Sequence, residues 1–189
     1  MTLNALNVSQ RKTRLAVSLA TTILFLMSIA RASSQPAQPN NVAAKSAVIA
    51  FERLKKLEGK WKGRSTRGWE ETIVYRTIAG GSVLVEESLD AHPKETMMTM
   101  FHFDVDRLIL THYCIAKNQP RLVATSFAED GSSITFTFQD GTNLPDRDRG
   151  HMDKVVFQFI DDDHFSSQWT WYQNGEEKWM EEIKHERIK

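Results

Sequence analysis

A single cysteine, Cys114, stands among 189 residues, so no intramolecular disulfide can form. Small exported domains often lean on disulfides because their cores are marginal, but a chain of this size buries enough surface without one. No acidic residue precedes Glu52, and there is no excess of basic charge, with 24 Lys and Arg against 24 Asp and Glu. No apolar run reaches the roughly 20 residues that a bilayer-spanning helix needs. Also missing are a nucleophile elbow, a phosphate-binding loop and the H-x-H or H-E-x-x-H spacings of metal sites. The absent motifs favour a protein that binds over one that catalyses, with no cofactor and no metal expected. The charge balance argues against a nucleic-acid partner, which selects a basic patch.

What is present begins with an export signal. Arg11, Lys12 and Arg14 precede an apolar run over 15–30, and Ala30-Arg31-Ala32 follows it. A basic region, an apolar region and a small-x-small site, in that order, predict cleavage after Ala32. No cysteine lies near that point, so a lipid anchor is not expected, nor any stable membrane anchor once the signal is removed. Residues 1–32 hold four basic and no acidic side chains, which leaves 20 basic against 24 acidic beyond them. The expectation is a mildly acidic domain in the periplasm or outside the cell.

Residues 33–41 (SSQPAQPNN) are polar and Pro-containing and read as a flexible leader. A single domain is expected over 42–189. It opens with a helix over 42–57, where Ala47, Ala50, Phe51, Leu54 and Leu57 form one apolar stripe. Lys55 and Lys56 suit the end of the helix dipole, and Gly59 is placed to end the helix.

Beyond Gly59 the period changes to two. Ile134-Thr135-Phe136-Thr137-Phe138 and Phe165 to Tyr172 alternate as half-buried strands do. Turn residues separate such runs, most clearly Asn174-Gly175, the dipeptide of a two-residue hairpin. About ten strands are expected, near 60–66, 69–78, 82–90, 95–104, 107–116, 121–128, 132–139, 152–160, 164–173 and 176–188. The short connections require antiparallel neighbours. So long a meander must hide its edges. The reading is mostly β, an up-and-down barrel of about ten strands preceded by one short helix. The long segment 140–150 is then placed as a loop over the barrel mouth.

Gly59-Lys60-Trp61, directly after a helix and opening the first strand, resembles the start of lipocalin-like (calycin) barrels. In that family the Trp closes one barrel end and an Arg from the last strand packs across it; Arg187 is the matching residue, and the two form the barrel-closing pair. The body resembles a family of bacterial lipocalin-like domains of unknown function, distantly similar to nitrobindin-type and fatty-acid-binding barrels. Ala79-Gly80-Gly81-Ser82, His112-Tyr113-Cys114, Asn118-Gln119-Pro120-Arg121 and His151-Met152 carry the likeness. It implies an antiparallel barrel with an internal cavity and no established activity.

Several side chains are candidates for chemistry. His112, Asn118, Arg121, Asn143 and His151 are read as contacts for the polar end of a small, largely apolar ligand, converging at a pocket mouth. His102 and His112 flank one turn, and whether they share a face depends on its length. His112 and Cys114 share a face, but about 6.5–7 Å apart along a strand, too far for a nucleophile and its base. Of Glu86 and Glu87 only one can face inward, and a solvent-facing Glu is the expected state. Two alternatives accompany the binding reading. One is a nitrobindin-type haem barrel with His185 on the last strand as axial ligand. The other is a hydrolase or isomerase using His112 as base.

Overall fold

The computed structural model describes residues 41–91 and 94–189, apart from the side chains of residues 41, 42 and 179. The export signal and nearly all of the leader lie outside the described residues. A helix, α1 (Asn41–Lys55), is followed by ten strands: β1 (Gly59–Ser65), β2 (Glu70–Ile78), β3 (Val83–Ala91), β4 (Glu95–Asp104) and β5 (Arg107–Tyr113), then β6 (Gln119–Phe127), β7 (Ser133–Thr142), β8 (His151–Phe159), β9 (His164–Gln173) and β10 (Glu176–Arg187). Each strand pairs antiparallel with its chain neighbours, and β1 pairs with β10, so the sheet closes as an up-and-down barrel. Closure satisfies the edge groups that so long a meander would otherwise expose. Among the described residues no helix is long and apolar enough to cross a membrane.

Helix α1 lies across the barrel end where β1 begins and β10 finishes. Its apolar stripe is the expected one: Leu54 is fully buried, and Ala47, Ala50 and Phe51 are nearly so. Phe51 meets Phe103 of β4 edge-on, ring centroids 5.4 Å apart. At the other end, Asn174 and Gly175 both take positive φ in the β9–β10 turn, the backbone of a two-residue hairpin that Asn-Gly adopts with least strain.

Register divides the interior into layers. Leu84 of β3 pairs with Phe101 of β4, Phe101 with Leu110 of β5, and Leu110 with Leu122 of β6. All four are fully buried. Together with Trp61, Phe136, Phe157 and Phe165 they fill the half of the barrel beneath α1. One step toward the open end the same strands place Glu86 opposite Thr99 and Thr99 opposite His112. The apolar filling stops at this polar layer, and a cavity begins.

Candidate functional site

The cavity has a volume of about 510 Å³ and opens at the end of the barrel opposite α1. Its apolar lining comes from Trp69, Ile73, Met97, Met152, Trp169 and Ile183 among others. Met97 and Trp169 keep step with Phe101 and Phe165 along β4 and β9, because inward positions recur every second residue. The bulge between Met152 and Lys154 keeps both Met152 and Val155 inward by letting Asp153 drop out of the alternation.

A hydrogen-bonded chain runs into this space from the wall. Tyr75 Oη donates to Glu86 Oε2 at 2.6 Å, and Thr99 Oγ1 donates to Glu86 Oε1 at 3.2 Å. Thr99 Oγ1 also lies 3.0 Å from His112 Nδ1. A hydroxyl carries one hydrogen, so with Glu86 ionised the Thr99 oxygen accepts from His112 Nδ1–H. His112 Nε2 then presents a bare lone pair, and that atom is buried with no partner among the described residues. The imidazole is 4 % exposed, lines the cavity and tilts against Trp169 at a centroid distance of 5.2 Å. Burial lowers the His112 pKa to about 4, so the ring is neutral near pH 7.

Two further carboxylates stand on the same side of the barrel, Glu71 on β2 and Glu181 on β10. Ser88 Oγ donates to Glu71, and Ser65 Oγ to Glu181. Glu71, Glu86 and Glu181 are each more than nine-tenths buried, and all three line the cavity. Burial raises the Glu71 pKa to about 7, with the bond from Ser88 opposing the rise and the charges of Glu86 and Glu181 adding to it. Burial likewise raises Glu86 to about 7, against the bonds from Tyr75 and Thr99. Every hydrogen-bond partner of these three carboxyls among the described residues is a hydroxyl; none is a cation.

Of the five residues read from the sequence as ligand contacts, His112 alone lines the cavity. Asn118 is buried at the rim and donates to the Gly150 carbonyl at 2.8 Å. Arg121 forms a half-exposed bidentate pair with Asp140. Asn143 takes a positive φ and donates to the Lys117 carbonyl. His151 is fully buried between Phe138 and Tyr172, with Nδ1 2.6 Å from the Arg149 carbonyl and Nε2 against Arg147. Asn118, Asn143 and His151 thus tie down the loop after β7, whereas Arg121 pairs across β6 and β7. No residue of that loop lines the cavity, whose rim is built instead by Arg67 and Trp69 beside the β1–β2 turn and by Cys114, Ile115 and Ala116 after β5.

His102 pairs with Ile109, one residue out of phase with the inward Phe101 and Phe103, so it faces away from His112. Among the described residues no group of His, Cys, Asp and Glu is arranged to hold a metal ion. Cys114 lines the cavity, yet its thiol makes no bond to His112, and burial raises its pKa. His185, the axial candidate for haem, lies flat on Phe165 at 4.2 Å with Nε2 3.1 Å from Ser167 Oγ, and it does not line the cavity. Trp61 and Arg187 meet at the closed end, the guanidinium 4.2 Å from the indole ring.

The sequence alone does not single out Glu71, Glu181, Tyr75 or Thr99, and it leaves open which of Glu86 and Glu87 faces inward. The structure turns Glu86 inward because it is in phase with Leu84 and Ser88 on β3, and Glu87 faces out. That phase was visible as Leu84-x-Glu86-x-Ser88, and likewise as Glu71-x-Ile73-x-Tyr75.

No family model and no curated protein matches this chain. Among solved structures it is similar to a protein of unknown function from the DUF3598 family of Nostoc punctiforme, at 13% identity and a TM-score of 0.49. The match covers 71% of this chain and 48% of that one, so the chain spans about half the length of that protein.

Proposed function

We propose that this protein is an exported, lipocalin-like binding barrel that holds one small, largely apolar molecule in its interior. The observation that carries the reading is the cavity itself: about 510 Å³, open at one end and apolar over most of its wall, with the neutral, buried His112 in its lining. Ligand pockets have this form, a few hundred cubic ångströms of apolar lining with a small number of placed polar groups. The hydrolase or isomerase reading is less well supported, because a histidine whose pKa is about 4 is a weak base near neutrality.

Two readouts test it. A neutral fluorophore such as N-phenyl-1-naphthylamine should brighten on mixing with the purified chain and be displaced by decanol. Occupation should also slow alkylation of Cys114 by iodoacetamide, because that thiol lines the cavity. A dye that stays dark, together with Cys114 reacting at one rate with and without decanol, would refute the binding reading.

A further inference from the structure

The cavity is not neutral in its polar chemistry. Glu71, Glu86 and Glu181 come from three strands, β2, β3 and β10, which are contiguous in the barrel through β1. They therefore form one acidic wall rather than scattered charges. Burying three carboxyls without a cation is costly, and proteins pair or neutralise buried charge. Here the hydroxyls of Tyr75, Thr99, Ser88 and Ser65 spend their hydrogens on these carboxyls, so they offer a ligand little donor capacity. His112 extends the same polarity, since its free Nε2 accepts whenever Glu86 is ionised. The deep wall is thus built of acceptors and negative charge.

The cations near the cavity sit at its mouth. Arg67 already donates through Nε to the Met180 carbonyl, and Lys178 is 65% exposed, beside Glu176. A carboxylate ligand would have to leave its head in water at that rim or press it against three carboxyls. An ammonium head does the reverse, letting the carboxyls ionise and donating to them.

We infer that the ligand is an apolar amine, its protonated nitrogen seated against Glu71, Glu86 and Glu181 and its hydrocarbon part running toward the mouth. This rests on the binding reading above and names the ligand class. It is tested by displacing the bound neutral fluorophore from the full chain at pH 7.5 with decylamine, decanol and decanoate. Decylamine is expected to bind at least about tenfold more tightly than decanol, and decanoate more weakly than either. In E71Q/E181Q and in E86Q the preference for decylamine over decanol should shrink to about threefold or less, with near-ultraviolet circular dichroism as the check on folding. Decanol binding as well as decylamine, or decanoate binding best, would overturn the amine assignment and leave the binding reading standing. Failure of the fluorophore and all three decyl compounds to bind would overturn both. The wild-type ranking decides the matter even if a variant does not fold.

Discussion

The guanidinium of Arg187 lies 4.2 Å from the centre of the Trp61 indole, on the residue directly opposite it across the β1–β10 seam. Arg187 also donates to the carbonyls of Lys56 and Glu58 at 2.8 Å and of Asp162 at 3.0 Å, while Trp61 Nε1 donates to the Leu57 carbonyl at 2.6 Å. The pair therefore ties together the last strand, the β8–β9 turn and the segment joining α1 to β1. One residue on the final strand closes the barrel and caps the end of the helix.

Removing that fork should be expensive. Arg187→Ala leaves several carbonyls without their donor and uncovers the indole, and is expected to destabilise the fold by about 2–4 kcal/mol. Arg187→Lys should recover only part of this, because an ammonium cannot donate in a planar fork or lie flat on a ring. Urea unfolding of the three proteins checks both expectations.

Stability should depend on pH from two directions. Glu71 and Glu86 titrate near 7 in the fold instead of 4.5, so the fold binds more protons than the unfolded chain between those values. Their contribution is fully present below pH 4.5 and is lost as pH rises through 7, by roughly 3 kcal/mol for each carboxyl. His112 and His185 titrate near 4 and 3 instead of 6.5, so theirs is present above 6.5 and lost as pH falls through 4 to 3. Between 4.5 and 6.5 the two slopes oppose each other, which predicts a broad maximum there. Glu86→Gln copies the protonated carboxyl and should be more stable than the wild type at pH 8 but not at pH 4.5. Identical denaturation profiles for the two proteins would contradict the buried state of Glu86.

Gly63 makes room for the acidic wall. A Cβ there would meet Glu71 Cγ at 2.9 Å and Ile183 Cγ2 at 3.0 Å. Gly63→Ala should push Glu71 into the cavity, cost about 1–3 kcal/mol and weaken decanol binding as the volume shrinks. Calorimetric melting and fluorophore displacement measure the two effects separately.

Export is expected to leave Ser33 as the first residue of the protein recovered from the periplasm or medium. Amino-terminal sequencing of that material checks it. A product that retains Met1 and fractionates with membranes would contradict cleavage.

Much of the barrel was legible because its signals are local. Alternation in Ile134 to Phe138 and Phe165 to Tyr172, Asn174-Gly175 at a turn and the Ala47–Leu57 stripe each depend on neighbours a few residues away. The site was less legible. His112, a ligand contact on the sequence pattern, lines the cavity, yet Asn118, Arg121, Asn143 and His151 group with it only because turns at one barrel end suggest convergence. In the fold none of these four lines the cavity.

The sequence by itself determined the period of each strand, the helix before them and the count of about ten, because these follow from backbone geometry and side-chain sterics within short windows. Only the tertiary structure decided which of the two faces is the inside. That choice depends on closure of β1 onto β10 and on bulges such as the one at Met152, whose single-residue slips reverse the alternation. It turned Glu86 rather than Glu87 inward, and His112 rather than His102. With those two turns it assembled, from three strands, a buried acidic wall that no short stretch of the chain contains.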